Sequence, residues 1–291
     1  MRLPKFEYFA PKTIDEACSL LAQYKQQAKV VAGGTDLLVQ MKSKEALPKC
    51  LINIRGITDQ DYITHDGKEG LRIGAQATIR SIETSPLIRD KFGILAQAAG
   101  ELGTVQVRNR GTIGGNLCNA APSAEMAPPL IALGARVKIR TANGERVVPI
   151  EDFFTGPGQT VLKLGELVTE IQVPDLPPRS GGTYIKHSIR RAQDLAIVGV
   201  GVVISMDKDV LSDVRIALGA VAPTPIKAKK AAETLKGKKP EDDLLEKAGV
   251  IASQEASPID DVRGSAEYRR KMIRVLVKRA IKQAIEQART G

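Results

Sequence analysis

Two periods run through the apolar positions of this chain, and each predicts its own kind of element. At the N-terminus Ala17, Leu20, Leu21 and Tyr24 recur at helical spacing behind Thr13 and Glu16, a capping-box pair. Further helices are predicted over 81–90, 92–102, 124–133, 227–235, 241–253 and 265–289. In the last, Ile273, Leu276, Val277, Ala280, Ala284 and Ile285 form one stripe. Alternating or β-branched runs predict strands at 29–32, 50–54, 71–75, 135–140 and 167–173. Asn143-Gly144 turns the fourth of these into a hairpin with 146–149. Pro174 to Gly182 reads as a linker. Beyond it, closely spaced strands at 183–188, 196–206 and 213–219 suggest an antiparallel sheet. Residues 103–116 read as one long loop rich in glycine.

Charge first points elsewhere. The 291 residues carry 43 Lys and Arg against 33 Asp and Glu, a net of +10, which suggests nucleic acid or an anionic surface. That excess is local. Residues 227–239 hold six Lys and one Glu, 240–262 one Lys and seven acids, and 263–291 nine basic groups and two acids. Only Tyr268 stands among the basic groups of 263–291, so base stacking has no platform there. A solvated helix face or a protein-docking surface is the better reading. The apolar runs are too short to span a bilayer, and Met1 to Lys5 has no signal-peptide character. Cys18, Cys50 and Cys118 are too few to ligate an iron–sulfur cluster alone and fit a reducing cytoplasm.

The remaining chemistry lies in glycine. Ala32-Gly33-Gly34-Thr35-Asp36 follows a strand, and Thr112-Ile113-Gly114-Gly115-Asn116 closes the long loop. Such segments let a bulky anion approach main-chain N–H groups, and two of them could clamp one pyrophosphate. They could equally be plain tight turns. Neither matches the dinucleotide or P-loop fingerprint. Gly199-Val200-Gly201 begins like the first but sits inside a β-branched run, so it reads as strand. With only His65, in a turn-like context, and His187, with no carboxylate near in sequence, a histidine-rich metal site is excluded.

These segments carry a resemblance. Ala32–Leu37, Arg108–Asn116, Pro122–Pro128, Phe153–Gly158, Arg190–Ala196 and Arg263–Arg270 stand in the order and spacing of the FAD-binding medium subunit of molybdenum hydroxylases, the xanthine dehydrogenase and aerobic carbon monoxide dehydrogenase type. The resemblance covers nearly the whole chain. It implies an α+β fold: a two-lobed FAD-binding domain of the PCMH (vanillyl-alcohol-oxidase-like) kind over 1–176, with lobes about 1–55 and 56–176. A C-terminal α+β domain over 177–291 follows, with a small antiparallel sheet and helices.

The resemblance also implies residue roles. Val30, Val31, Ala32, Gly33, Gly34, Thr35, Asp36 and Leu37 would wrap the FAD pyrophosphate. Gly111, Thr112, Ile113, Gly114, Gly115 and Asn116 would hold it from the other side. Leu102 and Thr104 would flank the adenine, and Glu125 would stand at the ribose or adenine end, where relatives often have Asp. Val168 and Lys186 would lie near the flavin ring or ribityl chain, and Asp194 near the isoalloxazine. FAD would be noncovalent, and this chain would supply no catalytic acid or base and no metal ligand. A large partner subunit would carry the molybdenum cofactor and a small one two [2Fe-2S] clusters, in a dimer of heterotrimers. Electrons would leave FAD for an external acceptor such as NAD, quinone or ferredoxin. The competing readings are a stand-alone FAD oxidoreductase of the same fold and a basic nucleic-acid-binding protein.

Overall fold

A computed structural model describes residues 3–190 and 193–290; Arg191 and Ala192 of the Arg190–Ala196 motif fall outside them. The first lobe runs β1 (Glu7–Phe9), α1 (Ile14–Tyr24), β2 (Ala28–Val31), α2 (Leu37–Lys42) and β3 (Cys50–Asn53), with a parallel sheet in the order β1-β3-β2. Thr13 caps α1 by accepting from the Glu16 N–H at 3.1 Å. The Glu16 carboxylate reaches back one residue further than a capping box requires, to the Lys12 N–H.

The second lobe contains β4 (Ile63–Asp66), β5 (Gly70–Gly74), α3 (Ile79–Thr84), α4 (Pro86–Lys91), α5 (Gly93–Gly100), α6 (Val105–Arg108), α7 (Ile113–Asn119) and α8 (Ala127–Leu133). It continues through β6 (Arg136–Thr141), β7 (Gly144–Pro149), β8 (Phe154–Gly156), β9 (Gln159–Thr160) and β10 (Leu167–Val173). Its main sheet is antiparallel, in the order β4-β5-β10-β6-β7. The helix predicted over 81–90 is two helices. Pro86 has no N–H and disfavours helical backbone before it, so Ser85 turns extended, ends α3 and caps α4. The long loop predicted over 103–116 is also punctuated by helix. Thr104 caps α6 and Thr112 caps α7, each hydroxyl accepting an N–H three residues on. His65 lies in β4 rather than in a turn, and its Nε2 stands 2.8 Å from an Asp175 carboxylate oxygen.

The C-terminal part holds β11 (Ser180–His187), β12 (Val198–Asp207), β13 (Val210–Gly219), β14 (Ile226–Lys227), α9 (Lys229–Leu235), α10 (Asp242–Glu255) and α11 (Ala266–Thr290). The sheet is antiparallel throughout, in that order. Nine of the ten β12 residues are buried because helices cover both faces. Val198, Val200, Val202 and Ile204 share one core with α9, α10 and α11, with α11 packed on the strand, while Val203 joins the core of the second lobe. Gly201 is glycine because α8 presses on it: a Cβ there would lie 2.9 Å from the Pro128 carbonyl carbon. The segment that begins like a dinucleotide fingerprint is therefore a packing feature.

The charge blocks explain one another. Asp242 and Glu246 on α10 pair with Lys278, Lys282 and Arg274 on α11. No helix among the described residues is long and apolar enough to cross a membrane.

Candidate cofactor site

The two glycine segments meet. At Gly33 a Cβ would lie 2.1 Å from the Arg110 carbonyl oxygen, so only glycine allows the first loop to pass the second this closely. Gly34 takes φ +75°, the left-handed turn that brings the chain from β2 into α2. The second segment is stitched to residues 75–79. The Ile113 and Gly114 N–H groups donate to the Ala77 and Ala75 carbonyls, and Ile79 donates to Gly111. Gly114 is glycine because a Cβ would lie 2.8 Å from the Ala75 oxygen.

This contact lines a cavity of about 930 Å³ shared by all three parts of the chain. That volume lies at the upper end for small-molecule and cofactor sites. The two loops contribute differently. The N–H groups of Gly33, Gly34, Thr35, Asp36 and Leu37 donate to no acceptor among the described residues, which leaves a nest of main-chain donors. In the second segment the Gly115 and Asn116 N–H groups close on Thr112, and those of Ile113 and Gly114 point into the protein. Its offering is a surface without side chains, plus the Asn116 amide. Asn116 lines the cavity, while its Oδ1 is buried and has no partner among the described residues.

All the residues singled out from sequence line this cavity except Ile113 and Lys186. Ile113 is fully buried in the core of the second lobe. The Lys186 ammonium lies behind the wall, 2.9 Å from Glu125 Oε1 and 2.8 Å from the Glu101 carbonyl oxygen. Glu125 and Lys186 were expected at opposite ends of the cofactor, yet they form one ion pair. Leu102, next to Glu101, lies with them, as does the loop carrying Asp194. Val168 sits elsewhere, on β10, where Leu167 joins the core of the first lobe. The site therefore has a Leu102–Glu125–Asp194 end and a Val30–Val168 end.

Burial raises the Asp36 carboxyl above its ordinary range, and the Thr35 hydroxyl opposes this. The backbone N–H of Arg190 holds Asp194 below it, at 2.8 Å. Cys118, of intermediate exposure, lines the cavity, and burial pushes its thiol up to about 12. The sequence reading missed Asn119, Glu166, Arg190 and Arg263 as lining residues. Asn119 stands three residues beyond Asn116, one helical turn along α7, and that spacing was the available signal. Arg263 arrives from a turn distant in sequence, fixed by Asp261 at 2.9 Å.

The donor nest suits a pyrophosphate. The Asn116 amide suits a hydroxyl, and a cavity of about 930 Å³ suits a dinucleotide. Known proteins agree. Residues 4–176 match the family model described as the FAD-binding domain in molybdopterin dehydrogenase, and 183–284 that of the CO dehydrogenase flavoprotein C-terminal domain. The chain is 36% identical to the carbon monoxide dehydrogenase medium chain of Hydrogenophaga pseudoflava, across 97% of both. It is 31% identical to the xanthine dehydrogenase FAD-binding subunit of Escherichia coli O157:H7, across 97% of this chain and 96% of that one. The solved carbon monoxide dehydrogenase of Hydrogenophaga pseudoflava superposes with a TM-score of 0.96 at 36% identity, covering 99% of each chain. A fold, a cavity and a sequence that agree over nearly the full length place this chain in the family of FAD-binding medium subunits of molybdenum hydroxylases, the flavoprotein subunits of carbon monoxide and xanthine dehydrogenases.

Proposed function

We propose that this chain holds FAD noncovalently in the 930 Å³ cavity and serves as the electron-transfer subunit of a molybdenum hydroxylase. The observation that carries this reading is the run of N–H donors from Gly33 to Leu37 that have no acceptor among the described residues and line the same cavity as Gly114 and Gly115. The pyrophosphate would be held by these donors, with the Asn116 amide beside it. The isoalloxazine would be held toward Asp194 and the adenosine toward Val30. Because Leu102 and Glu125 lie at the Asp194 end and Val168 at the other, this reverses the ends that the resemblance implied for those three residues. Arg190, largely exposed, stands at the end open to a redox partner.

Bound there, FAD supplies an exchange between one-electron and two-electron carriers. This chain's residues bind it, exclude water from it and set its electrostatics. Noncovalent attachment is supported by the protonated Cys118 thiol, which is a poor nucleophile at neutral pH. Electrons would arrive from [2Fe-2S] clusters on a small partner subunit. Substrate would be oxidised at a molybdenum cofactor on a large one, in a dimer of heterotrimers working in the cytoplasm. The near-complete coverage of relatives named as medium chains supports that assembly. NAD, quinone and ferredoxin are the acceptor classes open to it. We divide the chain into an FAD-binding domain over 1–176 and a C-terminal domain over 177–291, next to the ends of the two model matches.

Titration of the flavin-free chain with FAD tests the reading. Saturable one-to-one binding is expected. Asn116→Ala, which removes an oxygen that bonds no protein group among the described residues, should keep the melting temperature and weaken FAD binding about tenfold, the equivalent of one hydrogen bond of about 1.4 kcal/mol. A chain that binds no FAD would overturn it.

A further inference from the structure

Lys186, like Ile113, does not reach the cavity, but it is the charged residue of the two. Its side chain is 3% exposed and that of Glu125 is 9% exposed. The ammonium donates to Glu125 Oε1 and to the Glu101 carbonyl, so it joins β11 of the C-terminal sheet to two segments of the cavity wall. Glu125 itself lines the cavity. Burying either ion alone is costly, and each is tolerated here because of the other. Burial pushes the Glu125 carboxyl up and the Lys186 ammonium opposes it. The other titratable groups acting on the pair are Glu101, at the end of α5, and the phenol of Tyr184, on β11.

We propose that Lys186 is a positioning residue that holds Glu125 ionised and aimed at the cavity, so that the wall presents the cofactor with a fixed acceptor for an N–H or O–H group. The inference rests on FAD as the occupant, but the ion pair is testable without it. A protonated Glu125 could turn and donate instead. The paired carboxylate can only accept, and its charge is balanced within the protein rather than by the cofactor. Lys186 thus acts on the cofactor through Glu125, which explains how it can matter to the site from behind the wall.

The full chain carries the test, with melting temperatures measured from pH 5 to pH 9 with and without FAD. In Lys186→Met a lone buried carboxyl has its folded pKa above its unfolded one. The deficit relative to wild type should therefore grow as pH rises through the folded value. In Glu125→Gln a lone buried ammonium has its folded pKa lowered, so the deficit should grow as pH falls. The double variant should be flat with pH, and Lys186→Arg should restore FAD affinity to within about threefold of wild type. Glu125→Gln should weaken FAD at least tenfold. Parallel, pH-independent deficits in both single variants would overturn the proposal, as would unchanged FAD affinity in Glu125→Gln. Mirrored pH trends in the two single variants, together with a wild-type chain that binds no FAD, would instead retire the functional reading and leave the ion pair standing.

Discussion

The backbone of Gly33 lies against the carbonyl of Arg110 with no room for one carbon atom: a Cβ would come within 2.1 Å of that oxygen. This contact joins the first lobe to the second at the centre of the cavity. Gly33→Ala must move one loop or the other, and overpacking of this kind costs about 1–3 kcal/mol. Gly67, in the turn between β4 and β5, has open space around its Cβ position. Chemical denaturation should show Gly33→Ala destabilised within that range and Gly67→Ala within about 0.5 kcal/mol of wild type. Equal effects at both positions would mean that the loops do not interlock.

Arg108 locks the loop that carries Leu102 and Thr104. Buried with side-chain exposure of 10%, it donates Nε and Nη2 to the Glu83 carboxylate and Nη1 to the Leu102 carbonyl. Burial alone would raise Glu83, yet Arg80 and Arg108 together hold its carboxyl below the ordinary range. Arg108→Ala leaves a buried carboxylate with one partner and a carbonyl with none. Breaking such a pair costs about 3 kcal/mol. Arg108→Lys keeps the charge but lacks the planar fork, so it should recover only part of that loss. FAD affinity should fall in the same order. Wild-type stability in Arg108→Ala, measured by urea unfolding, would show that the loop holds its shape without the clamp.

Most of this architecture was legible in the sequence where periodicity decides it. The stripe of α11 and the buried run of β12 are in register with their packing. Short elements were not legible. Residues 7–9 and 154–160 form strands only because a partner strand lies beside them, and three residues carry no period of their own. The helices inside 103–119 were hidden because glycines at 103, 111, 114 and 115 read as loop. The signal lay in Thr104 and Thr112, each of which caps an N–H three residues on. The site was legible in its glycines, but the pairing of Glu125 with Lys186 was not. It joins residues 61 apart in sequence through a C-terminal sheet whose docking no local pattern encodes.

Cys118 gives a chemical reading of the cavity. Burial lifts its thiol to about 12, well above the ordinary value of about 9, so almost none is thiolate at pH 8. Iodoacetamide at that pH should leave Cys118 unmodified in the folded chain and alkylate it fully in denaturant, as peptide mass spectrometry would show. Rapid alkylation in the folded chain would place the thiol in contact with bulk water.

Asp242 supplies a pH test of the C-terminal charge blocks. Side-chain hydrogen bonds from Lys278 and then Lys282 lower its carboxyl to about 2. A depressed folded value means that the contribution is present above the unfolded pKa of about 4 and disappears as pH falls toward about 2. Asp242 is exposed, so salt screens the attraction and the effect is small. Asp242→Asn should therefore melt slightly below wild type at pH 7 in low salt, and the gap should close both near pH 2 and in 1 M NaCl. A gap that persists undiminished at pH 2, as the carboxyl gives up its charge, would mean that the attraction of Asp242 to the lysines of α11 is not what separates the two proteins.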